Sequence, residues 1–191
     1  MNEIALRLAT RLFDQPLIQN QYRSSFVEAM IEPYLARSGW RYVGDNWAGW
    51  DFEHEFGTRL ELKQSAAWQT WDPFKQLASG LPPKAGPGIF DIASRTGWFD
   101  SAGAVWTKKA GRPAHVYAFA WNGLFGSAAD HRNPDQWEFF VVPTAALPAL
   151  PQKTLRVSWL KTKFGNAESC FMGPERCADG LLPHARRLDS V

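Results

Sequence analysis

The chain has 191 residues, 45% of them in the hydrophobic class and 21% charged, with ten Trp and two Cys. That is the size of one domain with a core of its own, and the composition excludes a disordered chain, a collagen-like repeat and a disulfide scaffold. A net charge of +2, from 21 Lys plus Arg against 19 Asp plus Glu, neither requires nor forbids a polyanionic partner. Tryptophan is the outlying count. Trp40, Trp47, Trp50, Trp68 and Trp71 fall within residues 40–71, so core packing, ligand stacking or both must account for the cluster.

Ile4, Ala5, Leu8, Ala9 and Leu12 repeat at helical spacing opposite Glu3, Arg7, Arg11 and Asp14, which predicts a short amphipathic helix ended by Pro16. These charges interrupt the apolar run a signal peptide needs, and no segment reaches the roughly 20 apolar residues of a membrane helix, so a cytoplasmic protein is expected. Phe26, Val27, Met30, Ile31, Tyr34 and Leu35 predict a second helix, kinked or shortened by Pro33 and stopped near Gly39. The period then becomes strand-like: 41–43, 51–55 and 59–64, the last two forming a hairpin about Phe56-Gly57-Thr58. Residues 79–88 read as a loop, strands resume at 89–93, 115–121 and 137–142, and Pro143-Thr144 opens a short helical turn. Beyond Ser158 no period stands out. This order fits an α+β or α/β domain. Cys170 and Cys177 lack zinc spacing, and His54, His115, His131 and His184 show no paired spacing, which makes them structural or surface residues.

The chemistry sits in the hairpin. Glu61 and Lys63, two residues apart on a strand, share a face. A two-residue loop at Gly57-Thr58 sends Asp51 to the opposite face. A three-residue loop, Phe56–Thr58, pairs Glu55 with Arg59, Glu53 with Glu61 and Asp51 with Lys63. It gathers all four of Asp51, Glu53, Glu61 and Lys63 on one face and sets Phe52 against Leu62. The three-residue register is expected, because only it keeps apolar with apolar. Asp51 and Glu61 then form a hard, oxygen-rich pocket suited to Mg²⁺ or Mn²⁺, and Lys63, protonated beside two carboxylates, places a water or a phosphate.

Asp51 followed by Glu61-Leu62-Lys63 resembles the signature of the PD-(D/E)XK, or restriction-endonuclease-like, nuclease superfamily. The stretches Gly49–Glu53, Glu61–Ala66 and Trp137–Thr144 are similar to an uncharacterised bacterial subgroup of it. Trp50 stands where the family pattern often has Pro. The resemblance implies a restriction-endonuclease-like core, a central mixed β-sheet flanked by helices, within a single domain over 1–191 (core about 20–145, C-terminal extension about 146–191). It also implies a helical Glu, matched by Glu28, a Gln after the Lys, matched by Gln64 or Gln69, and the Leu62 carbonyl as a third metal oxygen.

The expected function is therefore metal-dependent hydrolysis of phosphodiester bonds in nucleic acid, DNA in the first instance. Asp51, Glu61, Lys63, Glu28 and Gln69 are the catalytic candidates, and Asp51, Glu61 and Leu62 the metal ligands. Trp68 and Trp71, just beyond Lys63, are candidates for base stacking, and Lys108, Lys109 and Arg112 for following a phosphate backbone. Trp40, Trp47 and Trp50 are expected to fix the hairpin against the core. Competing readings are specific. Ser25-Phe26-Val27-Glu28 also fits a helix capping box; the same groove suits a catalytically silent nucleic-acid- or protein-binding domain; and the Trp excess fits a sugar-binding module. The oligomeric state, a homodimer included, stays open.

Overall fold

Apolar and charged residues alternate along Arg59–Gln64, and that pattern becomes one of the two central strands of a sheet covered on both faces. The computed structural model describes residues 2–185. The chain runs α1 (Glu3–Phe13), α2 (Asn20–Ala36), β1 (Trp40–Tyr42), β2 (Phe52–His54), β3 (Arg59–Ala66), α3 (Asp72–Ser79), β4 (Ile89–Asp91), β5 (Trp98–Phe99), β6 (Trp106–Thr107), β7 (Val116–Asn122), β8 (Trp137–Pro143), β9 (Thr154–Arg156), α4 (Val157–Phe164), β10 (Cys170–Met172) and α5 (Pro174–Leu181). Six strands form a mixed sheet in the order β1-β2-β3-β7-β8-β10, antiparallel throughout except for the parallel pair β3–β7. The fold is mixed α+β, with a central sheet flanked by helices.

Every residue of β7 is buried, as a strand covered on both faces requires. Val116, Ala118 and Ala120 of β7 and Trp137, Phe139 and Val141 of β8 face α2 and α5, where Val27, Ile31, Leu35, Cys177 and Leu181 meet them. On the other face Tyr117, Phe119, Trp121, Phe140 and Val142 pack under Phe90 of the β4–β9 ribbon and Leu160 of α4. The segment read as a C-terminal extension thus supplies the edge strand β10 and two packed helices.

Several expectations need correction. The second helix begins at Asn20, so Ser25 lies inside it and the Ser25–Glu28 capping box does not exist; Pro33 is accommodated without ending the helix. The hairpin loop is Glu55-Phe56-Gly57, closed by hydrogen bonds between His54 and Thr58 and between Gly57 and His54. The register is Phe52↔Leu60 and Glu53↔Arg59, two residues from the expected pairing. A three-residue loop needs its left-handed residue last, and Gly57 supplies it at φ +85°. Parity survives a shift of two, so the odd-numbered side chains still share one face. Helix α1 forms, but none of its residues is buried. Trp40 and Trp50 are core residues, whereas Trp47 is 84% exposed and anchors nothing in the core. No helix among the described residues is long and apolar enough to cross a membrane.

His131 ties three segments together. Fully buried, it accepts from the Ile18 N–H through Nδ1 and contacts the Trp68 carbonyl through Nε2, while its own carbonyl accepts from the Trp137 indole. Burial and then Arg23 push its pKa down to about 4. The folded state therefore holds it neutral where the unfolded chain protonates it below about 6.5. Stability is full above pH 6.5 and falls by up to about 3 kcal/mol as pH drops toward 4. His131→Gln should unfold at a lower urea concentration than the natural chain at pH 7 and lose much of this acid slope; an unchanged slope would assign it elsewhere.

Candidate active-site cleft

Strand β3 emerges beneath α2 and delivers Glu61 and Lys63 to the sheet face opposite the Leu60 and Leu62 side chains, which are buried against α2. Asp51, one residue before β2, ends the β2–β3 ladder. Its N–H donates to the Leu60 carbonyl, and its Oδ2 accepts from the Leu62 N–H at 2.6 Å in place of a strand carbonyl. This one exchange fixes the Asp51 carboxylate beside the Glu61-Leu62-Lys63 backbone. These residues and Glu28 line a cleft of about 760 Å³ that extends to Trp71 and Arg95.

Glu61 is the centre of the cleft, with its side chain 3% exposed. Its Oε1 takes Lys63 Nζ at 2.5 Å and Arg95 Nη2 at 3.0 Å. Its Oε2 is buried with no hydrogen-bond partner. An ionised oxygen buried without a donor is costly, and a cation would relieve it. Burial, then the neighbouring Glu61 and Glu28, raise the Asp51 pKa well above the carboxylate range against the pull of Lys63 and the Leu62 N–H. Burial works against the Lys63 ammonium, but Glu61 and then Asp51 outweigh it, and its pKa stands above the ordinary value. Glu28 is half-buried, accepts from the Tyr42 hydroxyl at 3.0 Å, and is raised chiefly by burial.

The donors fit a hard divalent cation: two adjacent carboxylates, one with an orphaned oxygen, and the Leu62 backbone between them. Among the described residues no three His, Cys, Asp or Glu side chains converge as a complete ligand set. Two carboxylates with backbone and water oxygens match how Mg²⁺ is commonly held.

The remaining candidates divide. Gln69 reaches the cleft but is fully engaged: its Oε1 accepts from Arg23, its Nε2 donates to the Ala66 carbonyl and its N–H to Asp72. Gln64 is held by the same Arg23. Trp71 is 44% exposed on the cleft wall, 5.7 Å from Lys75 Nζ. Trp68 is buried and does not line the cleft. Lys108 and Lys109 are exposed, whereas Arg112 spends its guanidinium on the carbonyls of Ile92, Pro148 and Gln152 and serves as a structural clamp.

Two residues escaped the sequence reading. Arg23 repeats at four-residue spacing with Val27, Ile31 and Leu35 along the buried face of α2; a charge on an apolar stripe was the available signal. Arg95 stands in an irregular segment and carries no such mark.

No family model, no curated protein and no solved structure matches the chain.

Proposed function

We propose that this chain is a metal-dependent phosphodiesterase of restriction-endonuclease-like architecture that cleaves nucleic acid, DNA in the first instance. The observation that carries the reading is the buried Glu61 carboxylate, one oxygen gripped by Lys63 and Arg95 and the other without a donor, beside Asp51. Asp51, Glu61 and the Leu62 carbonyl would hold Mg²⁺ or Mn²⁺, which when bound neutralises charge developing on a phosphate and acidifies a water. Lys63, kept protonated by its neighbours, acts as a fixed cation that orients the water or a phosphate oxygen, and is no free base. Glu28, with a raised pKa and a Tyr42 hydroxyl to hold it, is placed to exchange a proton with cleft water. Trp71 and Lys75 offer a stacking face and a charge where the nucleic acid enters, and Gln69 is held in place by Arg23.

The test is a Mn²⁺-soaked crystal together with a Mg²⁺-dependent cleavage panel of single- and double-stranded DNA and RNA. Anomalous density between Asp51 and Glu61, with cleavage, is expected. Density without cleavage of any substrate would make the chain a silent binding domain; no density in the cleft would overturn the metal site.

A further inference from the structure

Two cations share one oxygen of Glu61, and their attachments differ. Lys63 is two residues along the same strand, on the same face as Glu61, with its side chain 27% exposed. Arg95 comes from outside the central sheet. Its backbone is pinned by a reciprocal pair of hydrogen bonds with Gly111, Arg95 N–H to the Gly111 carbonyl at 2.8 Å and Gly111 N–H to the Arg95 carbonyl at 3.0 Å. Its side chain is 44% exposed and only the Nη2 contact holds it to Glu61. Of the two, Arg95 is the more exposed and the more loosely held, at 3.0 Å against 2.5 Å for Lys63.

Resting on the reading above, we infer that Arg95 stands on Glu61 in place of a divalent cation and transfers to a substrate phosphate once the metal binds Glu61 and Asp51. A divalent ion at the orphaned Oε2 would face a guanidinium across one carboxylate, and like charges at that separation repel. The guanidinium then turns its planar fork to the nearest anion in the cleft, a phosphate oxygen, which it recognises better than an ammonium does. The Arg95–Gly111 bridge at the base of the β5–β6 ribbon, beside exposed Lys108 and Lys109, thereby links substrate contact to metal occupancy at Glu61.

The distinguishing signature is opposite effects on metal and on turnover. Without nucleic acid, Arg95→Ala should bind Mn²⁺ about tenfold more tightly than the natural chain, measured as free Mn²⁺ by electron paramagnetic resonance. With substrate, its kcat should fall about a hundredfold. Arg95→Gln, which can still donate to Glu61 but carries no charge, should tighten Mn²⁺ equally, and Arg95→Lys should restore the natural Mn²⁺ affinity. Weaker or unchanged Mn²⁺ binding in both neutral variants, with their melting temperatures kept, overturns the inference alone. Absence of Mn²⁺ binding in the natural chain overturns it together with the metal site.

Discussion

Lys63→Ala is expected to lower metal-dependent cleavage by about 10²–10³-fold, the usual cost of removing one fixed charge from a transition state. The fold should survive, because Arg95 still contacts Glu61 Oε1 and the alanine stays within a strand whose Leu60 and Leu62 remain packed. Mn²⁺ binding should likewise survive, since both carboxylates are intact. Lys63→Arg is not expected to rescue: a wide planar fork cannot replace a compact ammonium held 2.5 Å from Glu61. The companion variant, Glu61→Gln, should lose Mn²⁺ binding and activity together, and it leaves Lys63 and Arg95 facing each other without the carboxylate between them. Full activity in Lys63→Ala would remove that residue from the mechanism.

The largest stability effect is expected at Arg23. Arg23 is 1% exposed, and its guanidinium donates through Nε to Gln64 at 2.5 Å, through Nη1 to Gln69 at 2.9 Å and through Nη2 to Asn20 at 2.7 Å. Burial pushes its pKa down to about 10, so it remains charged at neutral pH among uncharged acceptors. Arg23→Met is close in volume but takes the donor from the oxygens of half-buried Gln64 and Gln69, each of which costs about 1 kcal/mol or more when left unpaired, while exposed Asn20 still meets Gln64 and water. A loss of about 3 kcal/mol, or roughly 10 °C in melting temperature for a chain this size, is expected from thermal unfolding. Gln69 would lose its Arg23 contact in the same variant while keeping those to Ala66 and Asp72, so any cleavage should fall as well. A melting temperature within 2 °C or so of the natural chain would show that the amides find other donors.

How much of this was legible without coordinates differs by element. The strands expected at 59–64, 115–121 and 137–142, found at Arg59–Ala66, Val116–Asn122 and Trp137–Pro143, and the joining of Asp51 to Glu61-Leu62-Lys63 are readable, because strand period and face parity are local rules. The hairpin register was missed by two residues. Setting Phe52 against Leu62 keeps apolar with apolar, but Phe52 against Leu60 does so equally, and the need for Gly57 to close the loop selects the second. In the fold Arg59 lies over the Trp50 ring and against His115. The amphipathic pattern of α1 was read correctly as a helix, but nothing in that pattern says whether a partner surface covers it.

The tryptophan cluster shows the same division. Position along the chain sets Trp40, Trp47 and Trp50 before the hairpin apart from Trp68 and Trp71 after it, yet Trp40, Trp50 and Trp68 are buried while Trp47 and Trp71 stand exposed. Side-chain hydrophobicity determines that indoles seek cover; the number of places under the sheet decides which ones get it. By itself the sequence determined a mixed α+β chain with two carboxylates and a lysine on one face of a hairpin. Only the tertiary structure decided that Arg23 would lock the glutamines and that Arg95 would reach Glu61. It also decided that Arg112 would clamp backbone carbonyls and that one glutamate oxygen would be buried without a donor. Those outcomes depend on segments tens of residues apart meeting in space, and no local period encodes such a meeting.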